Sequence, residues 1–94
     1  MKMKNKRIHI IGIGGIAMSA IAKYFLSLNC EVSGSDLEEN ELVTELKTRG
    51  VEITIGHQRD NISQKIDKVI FSDAIPADNV ELKTAQEQGI DILN

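Results

Sequence analysis

Ninety-four residues, 41% apolar and 27% charged, make one soluble globular domain with a modest core and leave no room for a second. Eleven Lys and Arg against fourteen Asp and Glu give a net charge of −3, and Tyr24, Phe25 and Phe71 are the only aromatics, so neither the basic footprint nor the stacking platform of a nucleic-acid binder is present. A single cysteine, Cys30, excludes an internal disulfide framework and makes the cytoplasm the default location.

The leader Met1–Arg7 carries Lys2, Lys4, Lys6 and Arg7 ahead of an apolar run reaching Ala22. Gly12, Gly14 and Gly15 interrupt that run, which argues against a signal-peptide core. No stretch of roughly 18 apolar residues is available to span a membrane. The leader is therefore expected to be a solvated tail.

Arg7–Ile11 reads as a short strand that stops at glycine. Beyond the glycines, Ala17, Ala20, Ile21, Tyr24 and Leu28 recur at helical spacing, with Phe25 widening the stripe, so the first helix should run to about Asn29 and bury that face. Glu31–Ser35 is a second strand. Asn40 is placed to cap a second helix with an apolar face of Leu42, Val43 and Leu46, and Gly50 to end it in the left-handed conformation. Val51–Ile55 is a third strand, followed by a polar stretch holding one helical turn around Gln58–Ile62. Lys68–Phe71 is a fourth strand. Asp78 with Glu81 three residues on resembles a capping box that opens a last helix to Gln88, with Gly89 as its stop and Asp91–Leu93 as a fifth strand.

Strands alternating with helices at this spacing indicate βαβ units and a parallel sheet. Right-handed crossovers then give an α/β, Rossmann-like, doubly wound five-stranded parallel sheet in the order 3-2-1-4-5. All strand carboxyl ends lie on one edge of such a sheet. Gly12–Ala17, Ser35-Asp36, Gly56-His57 and Ser72–Ala74 converge there, where ligands of open α/β sheets bind.

Gly12-Ile13-Gly14-Gly15-Ile16-Ala17 is a G-x-G-x-x-[GA] pattern between a strand and a helix. Gly12 permits the tight turn, Gly14 a close backbone approach, and Ala17 close packing of helix on strand. Free N–H groups at Gly15, Ile16 and Ala17, backed by the helix dipole, suit a diphosphate. The pattern alone does not separate dinucleotides from nucleotide sugars. Asp36, twenty-four residues after Gly12, stands where a carboxylate accepts from a ribose hydroxyl. His57 ends the third strand, and Ser72–Ile75 lies beside the first strand across the switch point. His9, inside the first strand, reads as a sheet residue. No G-x-x-x-x-G-K-[ST] loop, metal-ligand spacing or nucleophile–base pair is found. The residues describe a nucleotide-binding module without catalytic machinery, cofactor or metal of its own.

Four segments resemble the UDP-N-acetylmuramate–L-alanine ligases of the Mur ligase family: Ile8–Ser19, Val32–Asp36, Ile55–His57 and Ser72–Asn79. The G-x-G-G-x-[GA]-M-S and S-G-S-D strings carry most of the specificity. The resemblance spans nearly the whole chain from Ile8, but only the first of that family's three domains. Ala17 replaces a common glycine, and Val80 stands where the family often has proline. The resemblance implies a domain that binds the UDP part of UDP-N-acetylmuramate. Gly14, Gly15 and Ile16 would donate to the diphosphate, Ser35 and Asp36 would meet the uridine, and His57 with Ser72, Ala74 and Ile75 would complete the pocket. It further implies ATP, Mg²⁺ and L-alanine sites on later domains in cis, acting through an acyl phosphate, so that this chain alone holds substrate without turning it over. Asn94, just after the fifth strand, is expected to mark the end of a piece rather than a natural terminus. A murein-peptide ligase domain and an NAD-binding module are the alternatives.

Overall fold

A computed structural model describes residues 3–94. Its elements are β1 (Arg7–Ile11), α1 (Ile16–Ser27), β2 (Glu31–Asp36), α2 (Glu41–Thr48), β3 (Glu52–Ile55), a 3-10 turn (Arg59–Asn61), β4 (Lys68–Ile70), α3 (Val80–Glu87) and β5 (Asp91–Leu93). The sheet is five-stranded in the order β3-β2-β1-β4-β5, and each neighbouring pair is parallel. The expected order and strand directions hold, with boundaries moved by a residue or two.

Alternation along β1 sends its side chains to two cores, because successive strand residues point to opposite faces. Ile8 and Ile10 join Met18 and Ala22 of α1 and Leu46 of α2 on one face. Ile11 joins Val69 of β4 and Leu82 and Ala85 of α3 on the other. His9 points to that second face as well and meets α3.

Three expectations need correction. The buried residues of α1 are Met18, Ser19 and Ala22, whereas Ala17, Ala20 and Tyr24 are exposed. Met18, Ser19 and Ala22 thus take the place of Ala17, Ala20 and Tyr24, while Ile21, Phe25 and Leu28 of the expected stripe pack on the core. Small Ser19 and Ala22 let the helix lie close on the sheet, and Ile21, Phe25 and Leu26 cover the flank. The cap of α3 is Asn79, not Asp78: its Oδ1 accepts from the Glu81 and Leu82 amides at 2.9 and 3.2 Å. Glu81 is therefore free of any capping-box role and turns inward, fully buried. Nor is the leader wholly a solvated tail. Met1 and Lys2 lie outside the described residues, but Met3 packs on the first core and the Asn5 amide donates to the Asn29 carbonyl.

Glycine matters most at Gly34 in β2. A Cβ there would lie 2.5 Å from Ile13 Cδ1 and 2.8 Å from the Ile10 carbonyl oxygen. Only a residue without a side chain lets the turn after β1 seat Ile13 against β2. Gly34→Ala should destabilise the domain by about 1–3 kcal/mol through forced displacement of a packed backbone, measured as the shift in urea unfolding midpoint; a midpoint unchanged from wild type would refute this packing role.

Candidate functional site

The β1–α1 turn is built on internal bonds. Gly12, at φ +80°, donates to the Ser35 carbonyl at 2.8 Å, and Gly15 donates back to the Gly12 carbonyl at 3.1 Å. Gly14 donates to Asp36 Oδ2 at 2.7 Å. An added Cβ at Gly14 would meet Asp36 Oδ2 at 2.8 Å and Val43 Cγ2 at 2.9 Å. The absent side chain thus makes room for Asp36 and α2, rather than for a ligand as the pattern suggested. Asn40 caps α2 through the Val43 amide and ties it to the turn through the Gly14 carbonyl.

Two of the expected anion donors, Gly14 and Gly15, are thereby engaged. The first intrahelical bond of α1 runs from Ser19 to Gly15, so Ile16, Ala17 and Met18 carry the unpaired amides of the first turn. The capping position, Gly15, offers no side-chain acceptor, and no acidic residue occupies that turn. Those amides and the positive end of the helix dipole face an open cleft.

The cleft, about 630 Å³, is lined by Gly12, Gly14, Gly15, Ile16, Ala17, Asp36, His57, Ser72, Ala74 and Ile75, ten of the residues expected from the sequence. Met18, Leu37, Glu38, Glu39 and Asn40 join them. Ile16 and Leu37, 85% and 69% exposed, give it apolar surface. Asp36 accepts one bond on each oxygen, from Gly14 and from the Leu37 amide, and retains lone pairs for a hydroxyl donor. Ser72 accepts from the Ala74 amide and bends the β4 exit into the wall.

Ser35 is the exception. It is fully buried and does not line the cleft. Its hydroxyl donates to Glu81 Oε1 at 2.7 Å and lies 2.8 Å from His57 Nδ1. Glu81, unnoticed in the sequence as a site residue, is the centre of a polar network. His9 Nε2 and Ser35 Oγ meet Oε1, both at 2.7 Å. The Gln58 amide and Asn61 Nδ2 donate to Oε2 at 3.0 and 2.7 Å. Four donors satisfy a buried carboxylate without water.

Burial alone would raise the Glu81 pKa, but the hydrogen bonds from His9, Asn61 and Ser35 and the charge of His9 outweigh it and lower it from 4.5 to about 2. A depressed carboxylate stabilises the fold above its unfolded-state pKa and loses that contribution as pH falls toward its folded-state value. The lowering corresponds to roughly 3 kcal/mol. Unfolding of wild type and Glu81→Gln, compared at steps between neutral pH and pH ~2, should show a wild-type advantage that is constant above about 4.5 and shrinks below it. An advantage independent of pH would mean that Glu81 acts by shape and not by charge.

Residues 7–94 match the family model described as "Mur ligase family, catalytic domain". The chain is 45% identical over its whole length to a UDP-N-acetylmuramate–L-alanine ligase of Clostridium beijerinckii, of which it spans 20%. The crystal structure of UDP-N-acetylmuramate–alanine ligase from Thermotoga maritima matches with a TM-score of 0.87 at 38% identity, over 92% of this chain and 20% of that one. A murein peptide ligase from Psychrobacter arcticus matches with a TM-score of 0.87 at 26% identity, over 95% of this chain and 19% of that one. The chain thus spans about one fifth of the length of its relatives, and over that span it belongs to the Mur ligase family.

Proposed function

We propose that the chain is the amino-terminal, UDP-N-acetylmuramate-binding domain of a ligase that joins L-alanine to that nucleotide sugar in peptidoglycan synthesis. The observation carrying this reading is the cleft over the uncapped first turn of α1, where unpaired amides of Ile16, Ala17 and Met18 adjoin Asp36, His57 and the Ser72–Ile75 loop. The diphosphate rests on those amides. The ribose lies toward Asp36, away from which an anion is held by the charges of Glu38 and Glu39. The apolar surfaces of Ile16 and Leu37 flank the nucleoside. Higher identity to the alanine ligase than to the murein peptide ligase favours L-alanine as the second substrate.

ATP and Mg²⁺ do not fit this chain's residues. The sequence lacks a phosphate-gripping G-K-[ST] loop, and among the described residues no group of three His, Cys, Asp or Glu is placed to hold a metal. Those sites belong to further domains in cis, which act on the substrate held here. Among the described residues no helix is long and apolar enough to cross a membrane, in keeping with a cytoplasmic precursor-building step.

Titration with UDP and with NAD, followed by amide NMR, tests the ligand. UDP should shift the Ile16, Ala17 and Met18 amides at lower concentration than NAD; the opposite order would overturn the reading. Gly15→Asp should abolish UDP binding with the fold intact. A side chain there has space, its nearest neighbour being the Gly12 carbonyl at 3.5 Å, and aspartate is a favourable helix cap. Its carboxylate, however, occupies the anion seat.

A further inference from the structure

The polar network under the cleft has a direction set by its proton count. Glu81 is an ionised carboxylate and can only accept. Ser35 has one hydroxyl proton and, 2.7 Å from Glu81 Oε1, donates it there. The Ser35 oxygen can then only accept from His57 Nδ1, 2.8 Å away, so Nδ1 carries the hydrogen. The other nitrogen of the ring, Nε2, has no partner among the described residues and is not sealed off. His57 itself is a wall of the cleft.

We propose that Glu81 is a positioning residue that acts through Ser35 to hold neutral His57 in the Nδ1–H tautomer, so that the cleft meets the bare Nε2 lone pair. This is the reverse of the Nε2–H form that an unconstrained imidazole prefers. A bare nitrogen accepts and cannot donate. His57 therefore reads a donor on the ligand, a sugar hydroxyl or an N–H of the base or acetamido group, and does not serve the phosphates. That assignment of ligand atoms rests on the cleft being the nucleotide-sugar site proposed above; the tautomer does not.

The same carboxylate also sets where the ring stands. Glu81 Oε2 takes the Gln58 amide and Asn61 Nδ2, and Asn61 donates in addition to the Gly56 carbonyl at 3.2 Å. The loop on both sides of His57 is thus pinned to α3. On the far side, His9 Nε2 donates to Glu81 and its Nδ1 lies 2.8 Å from Ser33 Oγ.

The test is long-range ¹H–¹⁵N correlation of the imidazoles in the 94-residue chain without ligand at about pH 8, above the ordinary histidine range. Wild type should show His57 as Nδ1–H and His9 with a hydrogen on Nε2. Ser35→Ala removes the relay, leaves Glu81 three donors, and leaves His57 Nδ1 only a 3.6 Å approach to Glu81 Oε2 that is too long for a hydrogen bond. His57 should then move toward Nε2–H while His9 stays unchanged, which reports that Glu81 is still in place. UDP-N-acetylmuramate should bind this variant roughly three- to tenfold more weakly, the loss of one hydrogen bond. A wild-type His57 found as Nε2–H or doubly protonated, or one that stays Nδ1–H in Ser35→Ala, overturns the relay. A flipped tautomer with unchanged affinity overturns the reading of a ligand donor. Failure of wild type to bind any UDP compound counts against the proposed function and leaves the tautomer assignment standing.

Discussion

Everything at the carboxyl edge of this sheet is referred to one buried charge. The Glu81 carboxylate, with no exposed surface, gathers donors from β1, β2 and the loop after β3 onto the first turn of α3. A lone buried carboxylate would be prohibitive, and these four donors offset its lost hydration. The arrangement replaces apolar packing at the spot where α3 approaches the switch point, and it fixes the spacing between the walls of the cleft.

A second carboxylate works on the other side of β1 in the opposite manner. Asp36 is partly exposed, holds the glycine turn through Gly14 and keeps unoccupied lone pairs toward the cleft. One acid is saturated by protein and positions other groups; the other is half satisfied and faces the cleft. Between them the turn exposes three backbone amides that no protein group meets. The cleft floor is thus mostly backbone, held in place by side chains around it.

The strand–helix alternation, the sheet order and the glycine turn were legible in the sequence because each depends on local pattern or on chain handedness. Ten of the eleven residues singled out in the sequence line one cleft, since strand ends in a parallel sheet share an edge whatever their side chains do. What could not be read is what depends on contacts distant in sequence. Glu81 looked like a capping-box acid because a glutamate three residues after Asp78 carries that signature. Its true partner, His9, lies 72 residues away, and the clue, a histidine alternating into a strand otherwise apolar on both faces, says only that some acceptor must be buried nearby. The buried face of α1 was lost for another reason. Ala17, Ala20 and Tyr24 make a stripe as plausible as Met18, Ser19 and Ala22, and only the close approach to β1 and β2 selects the smaller, more polar one.

The central claim is that the cleft seats a nucleoside diphosphate on backbone while one buried and one half-buried acid hold its walls. A crystal structure of the chain with UDP tests it most directly. The account places the diphosphate within hydrogen-bond distance of the Ile16, Ala17 and Met18 amides, a nucleoside hydroxyl on Asp36, and the Glu81 network unchanged from its four donors. A diphosphate seated elsewhere, such as over the polar groove beside β2 and β3 that Ser33, Glu52 and Thr54 line, or a ligand that draws Ser35 away from Glu81 to contact it directly, would contradict the account.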